Sequence, residues 1–157
     1  MHMHKFEKIW LLFGIGTLLV FLTTVGVGAF YMGTKPASSL VTIDPEKVHE
    51  TAPFDNPGLR QIEGNKYELN IIASAFAFTP NQIQIPKGSE VVINVTTTDV
   101  VHGFQVVGTN INMMAEPGYV NTYTQKFNKT GEYLILCNEY CGAGHHMMNA
   151  KIEVVEQ

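Results

Sequence analysis

Three patterns of apolar and polar positions follow one another along the chain. The first is unbroken: Ile9 to Met32 gives 24 consecutive residues with no charged side chain and no proline. A helix rising about 1.5 Å per residue extends roughly 36 Å over such a run, enough for the ~30 Å hydrocarbon core of a bilayer. The run exceeds the roughly 7–15 apolar residues of a cleaved signal peptide, and no small-x-small cleavage site follows it. An uncleaved membrane helix is the expectation. The second pattern is an interruption. Pro36, Pro45, Pro53 and Pro57, with Gly58 and Gly64, break every period between the run and Lys66, so residues 36–65 are expected to be a linker lying along a domain or a partner.

The third pattern has a period of two. Tyr67, Leu69 and Ile71 alternate with Glu68 and Asn70, and Val91, Ile93 and Val95 alternate with Val92, Asn94 and Thr96. Tyr119, Tyr123 and Phe127 share one face, as do Tyr133, Ile135 and Cys137, while Ile152 and Val154 alternate with Lys151 and Glu153. Pro86-Lys87-Gly88 and Lys129-Thr130-Gly131 mark turns. Six or seven short strands in about 90 residues, with no second long helix and no repeat, predict an antiparallel β-sandwich. The expected organization is residues 1–35 as an N-terminal segment with one transmembrane helix, 36–65 as linker and 66–157 as the β domain.

Charge adds an orientation. Residues 1–35 hold three lysines against one glutamate, and the remainder holds seven basic against thirteen acidic residues. Lys5 and Lys8 flank the helix on its N-terminal side, which belongs in the cytoplasm and sends the β domain outside. A net charge of −4 argues against nucleic acid as a partner. Two cysteines exclude a multi-disulfide scaffold, and no glycine-rich phosphate loop is present. Gly14, Gly16, Gly26 and Gly28, with Thr17, Thr23 and Thr24, suit a helix packed on membrane lipid or on a larger membrane partner.

The candidate chemistry lies between Cys137 and Met148, where two thiols, His145, His146, Met147 and Met148 follow a predicted strand. Cys137 and Cys141 could pair as a disulfide outside the cytoplasm, or join His145 and a distant histidine around zinc. Zinc has no use for a thioether, however, and a site rich in sulfur with Met and His selects copper. One cysteine with His and Met would describe a single blue copper. A second thiolate can bridge a second copper. The further imidazole such a site requires is best supplied by His102, since His2 and His4 precede the helix, His49 lies in the linker and His146 adjoins His145. Asp99, three residues before His102, is a candidate to support it or simply a turn residue.

The spacing C-x-E-x-C-G-x-x-H-x-x-M, present as Cys137, Glu139, Cys141, Gly142, His145 and Met148, resembles the binuclear copper A signature of heme–copper oxidase subunit II. Asp99-Val100-Val101-His102-Gly103-Phe104 is similar to that family's first-histidine motif. Phe76-Ala77-Phe78, Ile85-Pro86-Lys87-Gly88 and Gly108-Thr109-Asn110-Ile111-Asn112 resemble its B-type branch, known for a subunit II with one helix where most relatives have two. The likeness spans nearly the whole chain. It implies an all-β, cupredoxin-like Greek-key sandwich behind one transmembrane helix.

The same resemblance implies the ligand roles. Cys137 and Cys141 would bridge two coppers; His102 and, weakly, Met148 would complete one, and His145 with the Glu139 carbonyl the other. It implies electron transfer from cytochrome c or a small copper protein to heme in a catalytic subunit I, where oxygen is reduced. In two-helix relatives the side chain at Glu139 helps hold magnesium, and in B-type oxidases an acidic residue placed like Glu7 stands at a proton-channel entrance. The lone Trp10 lies in the helix, so the electron-entry tryptophan of two-helix relatives is absent; Phe76, Phe78 or Phe104 would offer an apolar docking surface instead. The alternatives are the copper A subunit of a nitric-oxide reductase and, from another class, a membrane-tethered copper carrier or assembly factor.

Overall fold

A computed structural model describes residues 3–32 and 36–156. The chain divides into two compact units, Met1–Pro36 and Ala37–Gln157. The first is built on helix α1, Lys5–Phe30, 26 residues long, which begins one turn before the uncharged run. Its first turn is capped: the His4 N–H donates to Glu7 Oε2 at 2.9 Å, and the Phe6 N–H donates to His4 Nδ1. The Glu7 carboxylate thus stands where the helix dipole favors negative charge. None of the helix residues is buried within the chain. The three threonine hydroxyls inside it donate back to Gly14, Leu19 and Val20 carbonyls at 2.8–2.9 Å. An apolar perimeter with every internal hydroxyl satisfied suits a bilayer, where an unpaired polar group is costly.

The second unit holds eleven strands among the described residues: β1 (Ser38–Thr42), β2 (Gly58–Glu63), β3 (Lys66–Ser74), β4 (Ala77–Thr79), β5 (Gln82–Pro86), β6 (Glu90–Thr97), β7 (His102–Val106), β8 (Asn112–Ala115), β9 (Tyr119–Lys126), β10 (Gly131–Leu136) and β11 (Asn149–Val155). One sheet runs β1-β9-β6-β3-β2, with β4 also paired to β3. The other runs β5-β11-β10-β7-β8. Leu69, Ile71, Val91, Ile93 and Val95 from the first sheet meet Ile85, Phe104, Ile135 and Ile152 from the second, all fully buried. Phe78 and Phe104 meet edge to face in this core at 5.5 Å between centroids, so neither ring is available to a docking partner. The predicted turns depend on backbone freedom at Gly88 (φ +84°) and Gly131 (φ +136°).

Three expectations are revised. The sandwich is mixed rather than antiparallel: β3 lies parallel to β6, pairing Leu69 with Ile93, and β5 lies parallel to β11, pairing Ile85 with Val154. Parallel neighbors need a long crossover, and the excursion through β4 and β5 between β3 and β6 supplies it. Alternation is lost in β3, where Asn70 and Ile72 are each 1% exposed although they face away from the main core. The cause is the segment expected to be linker. Residues 36–65 carry β1, a 3₁₀ turn at Pro45–Glu50 and β2, and they cover that outer face with a second cluster of Val48, Phe54, Ile72 and Val120. Beside it the Asn94 side chain donates to Glu68 and Asn70, Asn70 donates to Glu68, and Arg60 pairs with Glu68, so these two amides are satisfied. Finally, Tyr119 sits at the start of β9 and is exposed, while Tyr123 and Phe127 enter the core.

The covering segment should therefore contribute to stability. Phe54→Ala is expected to cost about 3–5 kcal/mol through the cavity it leaves, read as a lowered urea midpoint. Val41→Ala, on an exposed side chain of β1, should stay within about 0.5 kcal/mol of the native chain. Equal effects would show that 45–54 lies loosely on the sheet.

Candidate metal center

Strand register brings the predicted residues together. β7 pairs with β10, setting Leu136 opposite Gln105 and Ile135 opposite Val106. His102, at the start of β7, thus comes beside the loop that leaves β10 after Leu136. β10 also pairs with β11, Leu136 opposite Asn149, and the Cys137 N–H donates to the Met148 carbonyl. Residues 137–148 therefore form a loop closed at its base, and its last turn is a 3₁₀ turn at His145–Met147.

Inside that loop the two cysteines are free, with their sulfurs 3.7 Å apart. His102 Nδ1 lies 4.0 Å from Cys137 Sγ and His145 Nδ1 3.6 Å from Cys141 Sγ. The Glu139 carbonyl accepts from Cys137 Sγ at 3.2 Å, and Met148 Sδ is 3.7 Å from Cys141 Sγ. All six predicted positions converge. His102 is fully buried, and the two cysteines and Met148 are at most 9% exposed. The Glu139 side chain is exposed and turned to solvent, leaving only its carbonyl at the sulfurs. His146 and Met147 are exposed and form no part of the cluster.

The surroundings fix the donors. His102 Nε2 donates to Asp99 Oδ1 at 2.8 Å, which turns Nδ1 toward the thiols. Asp99 is therefore both a turn residue and a support, because it also accepts from the Val100 and Ala75 N–H groups and from Thr97 Oγ1. Partial burial pushes its carboxyl up, but the hydrogen bonds from His102, Val100, Ala75 and Thr97 outweigh burial and hold it below the ordinary value. Burial, and then the neighboring Cys137 thiol, push the Cys141 thiol up to about 11. His145 meets the Tyr140 ring edge to face at 5.8 Å. A Cβ on Gly103 would overlap the Asn138 side chain and the Asn138 and Glu139 backbone nitrogens, so glycine beside His102 lets the two chain segments approach. The Tyr140, Ala75 and Gly103 contacts were not legible in the sequence; only the D-x-x-H spacing hinted at Asp99.

The donor set fits a soft metal. His102, Cys137 and Cys141 offer ligand atoms within 4.8 Å of one another, with a second imidazole, a thioether and a carbonyl at the same sulfurs. Thiolate, thioether and imidazole together favor copper.

Comparison with known proteins agrees with this chemistry. Residues 64–155 match the family model for the periplasmic domain of cytochrome c oxidase subunit II. A cytochrome c oxidase subunit 2 of Thermus thermophilus is 39% identical over 155 residues, covering 96% of this chain and 92% of the relative. A second Thermus thermophilus protein of that name is 42% identical over 126 residues, covering 79% and 93%. A subunit in a cryo-EM structure of a heme–copper terminal oxidase dimer superposes with a TM-score of 0.82 at 35% identity, covering 96% of this chain and 100% of the other. The periplasmic domain of subunit II from Bradyrhizobium japonicum shares the sandwich fold, with a TM-score of 0.53 at 23% identity over 57% of this chain and 83% of its own. The fold is thus the cupredoxin-like sandwich expected, and the chain belongs to the cytochrome c oxidase subunit II family, a membrane-bound component of heme–copper terminal oxidases.

Proposed function

We propose that this chain is the electron-entry subunit of its oxidase and that Cys137, Cys141, His102, His145, Met148 and the Glu139 carbonyl hold a binuclear copper A center. The observation that carries the reading is the pair of free, buried sulfurs 3.7 Å apart, flanked by one imidazole nitrogen at each. Such a center supplies one-electron storage shared over two metals. The residues contribute the rest. The two cysteines would hold the coppers as thiolates, and Asp99, accepting from His102 Nε2, would leave Nδ1 as the ligand atom. β7, β10 and β11, neighbors in one sheet, fix the ends of the segments that carry the donors, which limits their movement when charge changes.

The electron donor in this reading is a c-type cytochrome or a small copper protein. The acceptor is heme in the catalytic heme–copper subunit, where oxygen is reduced to water. Helix α1 crosses the cell membrane with Lys5 and Lys8 on the cytoplasmic side, leaving the sandwich outside. A copper carrier would be served by exposed, labile donors; here the sulfurs and His102 are buried and closed off by paired strands.

Three measurements test the assignment. Copper counting and electron-spin spectra on the full chain in detergent should give two coppers sharing one unpaired electron. Cys137→Ser should lose that sharing, since one thiolate cannot maintain a double bridge; its survival would defeat the bridging role.

The second concerns pH. With the Cys141 thiol pushed up to about 11, its proton is bound throughout the physiological range and must leave when copper enters. Apparent copper affinity should therefore fall as pH falls, by about a decade per pH unit for each thiol proton displaced. A competition titration between about pH 6 and pH 8, below the ordinary thiol range, would read it. A flat profile would contradict thiolate ligation.

The third separates Met148 from its neighbor. Met148→Leu keeps volume and apolarity, typically costing under about 1.5 kcal/mol of packing. It should alter the reduction potential by removing a thioether that favors Cu(I). Met147, 65% exposed, should tolerate the same change with its potential nearly unmoved. Equal shifts would remove Met148 from the ligand set.

A further inference from the structure

Outside the donor atoms, one aromatic ring is packed closely against the ligand loop. Phe76, between β3 and β4, lies over Gly142 and Gly144. A Cβ built on Gly142 would stand 3.0 and 3.2 Å from Phe76 Cε1 and Cζ, and one on Gly144 would overlap the Phe76 Cγ and Cδ2 atoms. The ring therefore occupies the volume that side chains at those positions would fill. These glycines bracket the turn joining Cys141 to His145, in which the His145 N–H donates to the Gly142 carbonyl. Phe76 itself is anchored from behind. The N–H of Ala75, its neighbor, donates to Asp99 Oδ2 at 2.6 Å, while Oδ1 of the same carboxylate accepts from His102 Nε2 at 2.8 Å.

We infer that Phe76 is a positioning residue for the center. Its ring, seated on Gly142 and Gly144, sets the path of the Cys141–His145 turn, and through Asp99 it shares one anchor with His102. Both histidine limbs are thereby referred to a single carboxylate. The inference rests on the proposed copper reading for its consequence, but the packing itself exists without metal. The two glycines differ in what they reveal. Gly142 has φ +127°, so a side chain there is strained whatever the space. Gly144 has φ −92° and ψ 6°, in the sparsely populated bridge region that remains open to alanine. At Gly144 the three atoms nearest to such a Cβ all belong to Phe76, two of the ring in overlap and its own Cβ at 3.0 Å, so removing the ring relieves the overlap and leaves one tight contact.

A double-mutant cycle between Phe76→Ala and Gly144→Ala tests the idea on the full chain in detergent. In the metal-free chain, amide hydrogen exchange at residues 142–148 should rise by at least about tenfold in Phe76→Ala, because local opening is held down by packing. Gly144→Ala alone should produce a similar rise by colliding with the ring. Added to Phe76→Ala it should raise exchange several-fold less than it does in the native chain, since the overlapping ring atoms are gone and only the Cβ contact at 3.0 Å remains. Phe76→Tyr keeps the ring, which belongs to a side chain 36% exposed; it should behave as the native chain. After copper loading, Phe76→Ala and Gly144→Ala should each change the hyperfine pattern and the potential, and Phe76→Tyr should not.

The inference is overturned if Phe76→Ala leaves exchange at 142–148 at the native rate, or if Gly144→Ala is as disruptive without the ring as with it. Should Phe76→Ala fail to fold, Gly144→Ala is read alone, and an unchanged exchange rate at 142–148 in that variant overturns the inference. A native chain that binds no copper pair while the metal-free coupling holds would defeat the copper reading and leave the positioning role intact. Two bound coppers with no coupling would do the reverse.

Discussion

The register between β10 and its two neighbors is the constraint on which the site depends. Leu136 opposite Asn149 and Gln105 fixes where the ligand loop begins, where it ends and which strand brings His102 to it. Side chains alternate along a strand, so a slip of one residue would turn Cys137 to the opposite face. Slippage is opposed by the core: Ile135, Phe104, Ile152 and Ala150 are buried together, and each would move to the wrong side at once. Hydrophobic burial thus sets the positions of sulfur and imidazole before any metal contributes. The loop needs little internal hydrogen bonding for that reason. Its base is closed by the Cys137 N–H and its end by one 3₁₀ turn.

Burial has a second effect, on charge. The cysteines, Met148 and His102 are nearly free of solvent, and a buried thiol resists ionization. The same low-dielectric surroundings strengthen attraction to a cation once the thiols have lost their protons. The Cys141 thiol, pushed up to about 11, therefore keeps its proton until a cation displaces it. Asp99 answers the opposite need. It keeps partial access to solvent, collects four hydrogen bonds and so retains its charge.

Much of this was legible in the sequence for identifiable reasons. The proposed ligand residues are polar or sulfur-bearing side chains at fixed short spacings, and residues 137–148 lie within one loop, so no long-range information is needed to group them. His102 required the sandwich, whose loop clustering at one end joins distant segments. The outer cover on β3 was hidden, because prolines in 36–65 suggest a connection while the apolar residues that pack, Val48 and Phe54, stand alone among polar neighbors. The parallel pairings were hidden too, since alternation reports which face is buried and says nothing of strand direction. Phe76 carried the expectation of an exposed, docking role within a family-like motif; its contact with two glycines follows from the third dimension alone.

Those glycines illustrate how a rigid site is made from flexible residues. Glycine loses the most conformational freedom on folding, and a loop containing Gly142 and Gly144 would wander if nothing held it. Here the missing side chains are replaced by a ring from a distant part of the chain, tied through Ala75 to Asp99. The substitution of a distant aromatic for two local side chains couples the loop to the segment that carries His102. Local side chains would have filled the space without making that connection. For a center proposed to accept and release electrons with little rearrangement, the connection is the useful part: a displacement of His145 must move Phe76, and a displacement of Phe76 strains the hydrogen bonds that hold His102. The two imidazoles, 43 residues apart in the chain, thereby respond as one body.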